Sequence, residues 1–147
     1  MSVYFTNNQY LKTAEEDFEA ADALYGHKYY DQIVSLLSIA MTKFLKSVVE
    51  SMFDAAEAHA YYNTEDKLSI LKKIQEKEPN FPITEQDCKW MDSVYGKANC
   101  TDGIHMVMPK QTAMDAFHLV AGVRKEARRA DKQYAHTDRS FFARFSK

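Results

Sequence analysis

A chain of 147 residues, 46% hydrophobic and 27% charged, has the length of one domain and a composition that is neither disordered nor membrane-like. Its net charge of −2 excludes a nucleic-acid footprint spread over the whole surface. The two cysteines, Cys88 and Cys100, are too few for a disulfide framework and lack zinc-motif spacing, so free thiols and no metal are expected.

No uninterrupted apolar run reaches the ~18 residues of a spanning helix. Met1-Ser2-Val3-Tyr4-Phe5 also lacks the basic start and long apolar stretch of a secretory signal. A cytoplasmic location without membrane association is therefore the expectation.

Thr6-Asn7-Asn8-Gln9 fits a capping box, so a first helix should start there. Leu11, Ala14, Phe18, Ala21 and Leu24/Tyr25 form its apolar stripe, with Glu15, Glu16, Asp17, Glu19 and Asp22 mostly on the wet side. Gly26 suits the left-handed position that ends a helix. A second helix is predicted from about 28 to 56. Its stripe of Tyr30, Ile33, Val34, Leu37, Ala40, Met41, Phe44, Leu45, Val48, Val49 and Met52 is wide enough for the centre of a bundle.

A short helix follows over 67–78 with Leu68, Leu71 and Ile74 inward, closed by Pro79 and Pro82. Thr84 can cap a fourth helix carrying Cys88, Met91, Val94 and Tyr95 to about Gly96. After an ordered crossover, Pro109 suits the first turn of a last helix, with Met114, Phe117, Val120/Ala121 and Val123/Arg124, running to about Tyr134. Strand alternation, βαβ order and internal repeats are all missing. The fold class expected is all-α: an antiparallel up-and-down bundle of about five helices over 1–134, with a basic aromatic tail over 135–147.

The quoted patterns resemble those of the HEPN family of small helical domains. The resemblance rests on Ala14-Glu15-Glu16-Asp17-Phe18-Glu19-Ala20-Ala21, Tyr29-Tyr30-Asp31, the stretch from Ser35 to Lys46, the short helix near 67–73 and the late helix after Pro109. It implies a bundle that often dimerises through its helices. Some relatives are metal-independent ribonucleases of toxin systems, and others bind nucleotides or proteins or partner nucleotidyltransferases. The ribonuclease group carries an Arg and, after four to six intervening residues, a His. Arg129 and His136, with six residues between them, match that pattern.

The chain departs from the ribonuclease pattern in three places. The pair falls at the end of the predicted last helix, whereas the family sets it at a helix junction lining a cleft. Lys97-Ala98-Asn99-Cys100-Thr101-Asp102 stands where relatives often have an Arg-Tyr-Pro-like segment. Thr64-Glu65-Asp66-Lys67-Leu68 stands where many carry a histidine. The reading adopted is a non-catalytic binding or protein-interaction module for a nucleotide, RNA or nucleotidyltransferase partner. The alternative is a metal-independent ribonuclease of a toxin–antitoxin or defence system, with His136 as the acid/base and Arg129 as the phosphate-stabilising group.

Residues 124–147 hold eight Lys or Arg against three Asp or Glu, the one clearly basic stretch. Arg124, Lys125, Arg128, Arg129 and Lys132 share a broad helix face on which Tyr134 follows. They either bind phosphate or complement the helix dipole. Phe141, Phe142 and Phe145 either stack bases or dock against another subunit, and a symmetric homodimer is expected. Tyr29, Tyr30, Tyr61, Tyr62 and His59 either border a pocket or pack helix ends. His105 and His118 have no ligand partner at a metal spacing, and Gly26, Gly96, Gly103 and Gly122 stand singly, so no phosphate loop and no cofactor are expected.

Overall fold

The computed structural model describes residues 4–99 and 107–135. Six α-helices occur among them: α1 Gln9–Leu24, α2 Tyr30–Met52, α3 Ala55–His59, α4 Lys67–Lys77, α5 Glu85–Ala98 and α6 Lys110–Ala130, the last continued by a π-turn over Asp131–Ala135. The all-helical fold is the one the patterns predicted. Cys100, Gly103, His105, His136, Phe141, Phe142 and Phe145 lie outside the described residues.

Helix α2 is the axis, and α1, α4, α5 and α6 pack around it. Ile33, Val34, Leu37, Met41, Phe44, Leu45 and Val48 are fully buried along it. Helix α2 is long and apolar enough to cross a membrane, but most of that stretch, 72%, is buried in the fold. Ion pairs and hydrogen bonds fix the directions of its neighbours. Asn8 reaches the Ser47 carbonyl and the Ser51 hydroxyl, and Lys43 binds Asp17 at 2.7 Å, so α1 runs antiparallel to α2. Lys67 donates to the Ser38 hydroxyl at 2.9 Å and Lys77 to the Met52 carbonyl at 2.6 Å, so α4 runs parallel to it. Helix α5 returns antiparallel, with Asn99 bonded to Ser35.

Several boundaries differ from the sequence expectation. The cap of α1 is Asn8 rather than Thr6: its Oδ1 accepts from the Leu11 amide while its Nδ2 is held by α2, so one buried amide satisfies two elements. The left-handed residue of the first turn is Lys28, at φ 62°, because a 3-10 turn over Tyr25–His27 carries the chain past Gly26. Helix α2 stops at Met52 instead of continuing to 56. Phe53 is extended, and Asp54 caps the separate helix α3 through the Glu57 amide at 2.9 Å. That break lets residues 53–66 climb back along α2, which α4 requires in order to start beside Ser38. The Thr84 cap forms as expected, with Asp87 closing the box.

Candidate binding surface on the last helix

Alanine and valine put α6 against α2: Ala113, Ala116, Val120, Val123, Ala127 and Ala130 are buried, which leaves its longer side chains to the flanks. The arginines expected to form one phosphate-binding face divide between two of them. Arg124 and Arg128 turn toward α1, and Arg129 turns toward the end of α4.

On the α1 side both arginines meet Glu15. Arg128 donates Nε and Nη2 to the two carboxylate oxygens at 2.6 and 2.7 Å, and Arg124 Nη1 lies 4.0 Å away. This fork-to-fork geometry is the strong form of an Arg–carboxylate pair. Glu15, expected among the wet residues of α1, is only 9% exposed. The guanidinium planes also cover rings, Arg124 over Phe18 at 4.2 Å and Arg128 over Tyr4 at 4.6 Å. The hydrogen bonds that Arg128 donates to Glu15 hold it even more firmly in its charged form.

On the α4 side Arg129 donates to both oxygens of Glu78, at 2.8 and 3.3 Å, to Glu126 at 2.8 Å and to Gln133 at 2.8 Å. Burial alone would lower the Arg129 pKa, but the bonds to Glu126 and Glu78 outweigh it and raise it. Tyr134 donates to the same Glu78 at 2.6 Å, and this bond raises its own pKa. Lys132 lies 5.8 Å from the centre of the Tyr4 ring, and Lys125 is exposed without an ion-pair partner among the described residues. Catalytic use of Arg129 on a phosphate would thus have to displace two carboxylates.

The underside of this surface is acidic. Tyr4 donates its hydroxyl to Asp131 at 3.1 Å and to the Arg128 carbonyl at 3.3 Å, and burial with the nearby Asp131 charge pushes its pKa up to about 12. Glu50, half-buried in the last turn of α2, has Oε2 without a hydrogen bond. Burial first, and the Asp131 charge second, raise its pKa above the ordinary 4.5. The folded state therefore prefers the protonated acid, and Glu50 opposes folding increasingly as pH rises from about 4.5 through the raised value. Glu50→Gln is expected to melt higher than wild type at pH 7.5, with the gap closing as pH falls toward 4.5; thermal scans across that range check it.

The tyrosine group separates. Tyr62 meets Tyr10 at a tilt and His59 edge-on, beside Lys46, whereas Tyr30 meets Tyr25 at the other end of α2. Tyr29 and Tyr30 instead line a hollow of about 330 Å³ with Lys28, Gln32 and Val107. Cys88 is a buried free thiol, raised by burial to about 12. Among the described residues no group of His, Cys, Asp and Glu is arranged to hold a metal.

Against this geometry, the family model for the HEPN domain matches residues 8–130. The chain belongs to the HEPN domain family. No curated protein and no solved structure gives a match. The HEPN match runs from the Asn8 cap to the end of α6, so it takes in Arg124, Arg128 and Arg129 and stops before Tyr134. Membership makes the chain, in general terms, a nucleotide- or RNA-related helical module.

Proposed function

We propose that this HEPN chain is a non-catalytic interaction module, and that its partner is a protein of the nucleotidyltransferase type ahead of free RNA or a nucleotide. The observation that supports this is the internal pairing of the α6 cations. Arg124 and Arg128 are held by Glu15, and Arg129 by Glu78 and Glu126. A phosphodiester competing for Arg128 or Arg129 would have to replace short intramolecular hydrogen bonds, which weakens what these two arginines can offer a polyanion.

The ribonuclease alternative makes the opposite demand, a guanidinium open to a scissile phosphate with His136 beside it. In an EDTA-containing assay the purified protein is expected to leave a panel of single-stranded RNAs intact. Release of cyclic-phosphate or 3′-phosphate ends, abolished in folded Arg129→Ala and His136→Ala variants, would transfer the assignment to the ribonuclease. The positive arm is co-purification with a nucleotidyltransferase co-expressed with it.

A further inference from the structure

Three donors of α6 and its π-turn converge on the carboxylate of Glu78. One oxygen accepts from Arg129 Nη2 at 2.8 Å, and the other accepts from Arg129 Nη1 at 3.3 Å and from the Tyr134 hydroxyl at 2.6 Å. The fork of a guanidinium fits two oxygens of a phosphate as it fits those of a carboxylate. The other acceptors around Arg129 leave that fork alone or share only one nitrogen of it: Glu126, on the same helix, takes Nε at 2.8 Å, and Gln133 takes a second Nη1 hydrogen at 2.8 Å.

We propose that Arg129 and Tyr134 form an anion seat with the chemistry of a phosphate site, and that Glu78 is a built-in competitor that keeps phosphate out of it. This rests on the reading of the α6 cations as occupied from within, and it names the group that closes Arg129. The charge balance turns on that one residue. Arg129 and Lys77, whose Nζ lies 5.2 Å from the centre of the Tyr134 ring, are balanced by Glu78 and Glu126, so the closed seat is neutral. Without Glu78 one net positive charge is left beside the three donors. An incoming phosphate then exchanges one oxyanion for another, and each donor keeps an acceptor.

Opening the seat asks little of the backbone. Glu78 ends α4 with its amide bonded to the Ile74 carbonyl at 3.0 Å and its carbonyl to the Phe81 amide at 3.0 Å, and Phe81 is buried. The chain is thus pinned on both sides, while the Glu78 side chain, 21% exposed, borders water. Rotation about its own bonds takes the carboxylate out of the seat into solvent, where it recovers its hydration. Arg129 stays in place, because Glu126 and Gln133 still hold it. In the closed state the tethered carboxylate competes at an effective concentration of roughly millimolar or more, which free phosphate must exceed to enter.

The test titrates inorganic phosphate into the nitrogen-15-labelled full chain at low salt, followed by NMR at the Arg129 Nε–H and the surrounding amides. Glu78→Ala is expected to bind phosphate at least about tenfold more tightly than wild type, the change that losing one charge-assisted competitor brings. Glu78→Gln keeps the side-chain shape and an oxygen acceptor, so it stays folded even if the alanine variant does not, and its affinity is expected to rise in the same direction. Adding Arg129→Gln to either variant should abolish the gain, and adding Tyr134→Phe should reduce it. Wild-type affinity equal to that of a folded Glu78 variant, or a gain that survives Arg129→Gln, would overturn the seat. The readout is phosphate affinity rather than RNA cleavage or co-purification, so the seat can fail while the interaction-module assignment stands.

Discussion

Phe44→Ala is expected to destabilise the domain by about 3–5 kcal/mol, the range for emptying a fully buried aromatic site. Phe44 is 0% exposed at the middle of α2 and meets the edge of Phe18 at 6.4 Å. Phe18 in turn meets Phe117 of α6 at 5.1 Å, and Phe117 meets Tyr25 at 5.7 Å. The void would therefore open beside Phe18, where α1 meets both α2 and α6. Against a typical total of ~5–15 kcal/mol, that is enough to leave the domain marginal. Urea unfolding reads it as a lower midpoint at unchanged slope. A loss under ~1 kcal/mol would mean the ring is not packed as described.

Glu15→Ala is the second large effect, about 2 kcal/mol. Removing one partner of a fully buried ion pair typically costs ~3–5 kcal/mol, and the figure is reduced here because solvent screens the arginines. Their side chains are 31% exposed, against 12% for Glu15. The neighbouring Glu16→Ala should change stability by less than ~0.5 kcal/mol, as surface substitutions do. The contrast is the measurement: two adjacent glutamates, one holding α6 to α1 and one facing water. Equal effects would show that the Glu15 pair contributes nothing particular.

That same pair shows where sequence reasoning stopped. Apolar periodicity located five of the six helices and nearly all of the α2 core, because an amphipathic stripe is a property of one segment and can be read within it. It failed where a residue's role depends on a distant one. Glu15 sits in an acidic run and looks solvated, and only Arg128 across the bundle makes its burial tolerable. On α6 the larger residues Met114 and Phe117 drew the predicted stripe about one position away from the true contact, which is made by Ala113 and Ala116. Small side chains carry little hydropathy signal, yet they permit the closest approach of two backbones. Lys67 was equally hidden: it opens α4 buried, with Ser38 and Asp92 as partners on two other helices.

For the binding surface, the basic stretch was legible and its use was not. Charge counts over 124–147 showed the sign of the segment, while the carboxylates that answer it come from α1 and from Glu78 at the end of α4. The Arg129 to His136 spacing matched a pattern without specifying a cleft. Arg129 lies among Glu78, Glu126 and Gln133, and His136 is beyond the described residues.

The Tyr4 contacts carry a consequence for the order of assembly. They join residues 124 and 127 positions apart, whereas the α1–α2 hairpin closes over a three-residue 3-10 turn and its short flanks. The entropy of closing so long a loop must be met before such contacts give anything back. The hairpin is thus expected to form early and the Tyr4 clasp last, after α6 has seated. Contacts that form after the rate-limiting barrier govern how fast a protein opens rather than how fast it folds. In this domain the hydroxyl of Tyr4 is therefore expected to act as a latch on the lifetime of the folded state, so that Tyr4→Phe speeds unfolding and leaves the refolding rate unchanged.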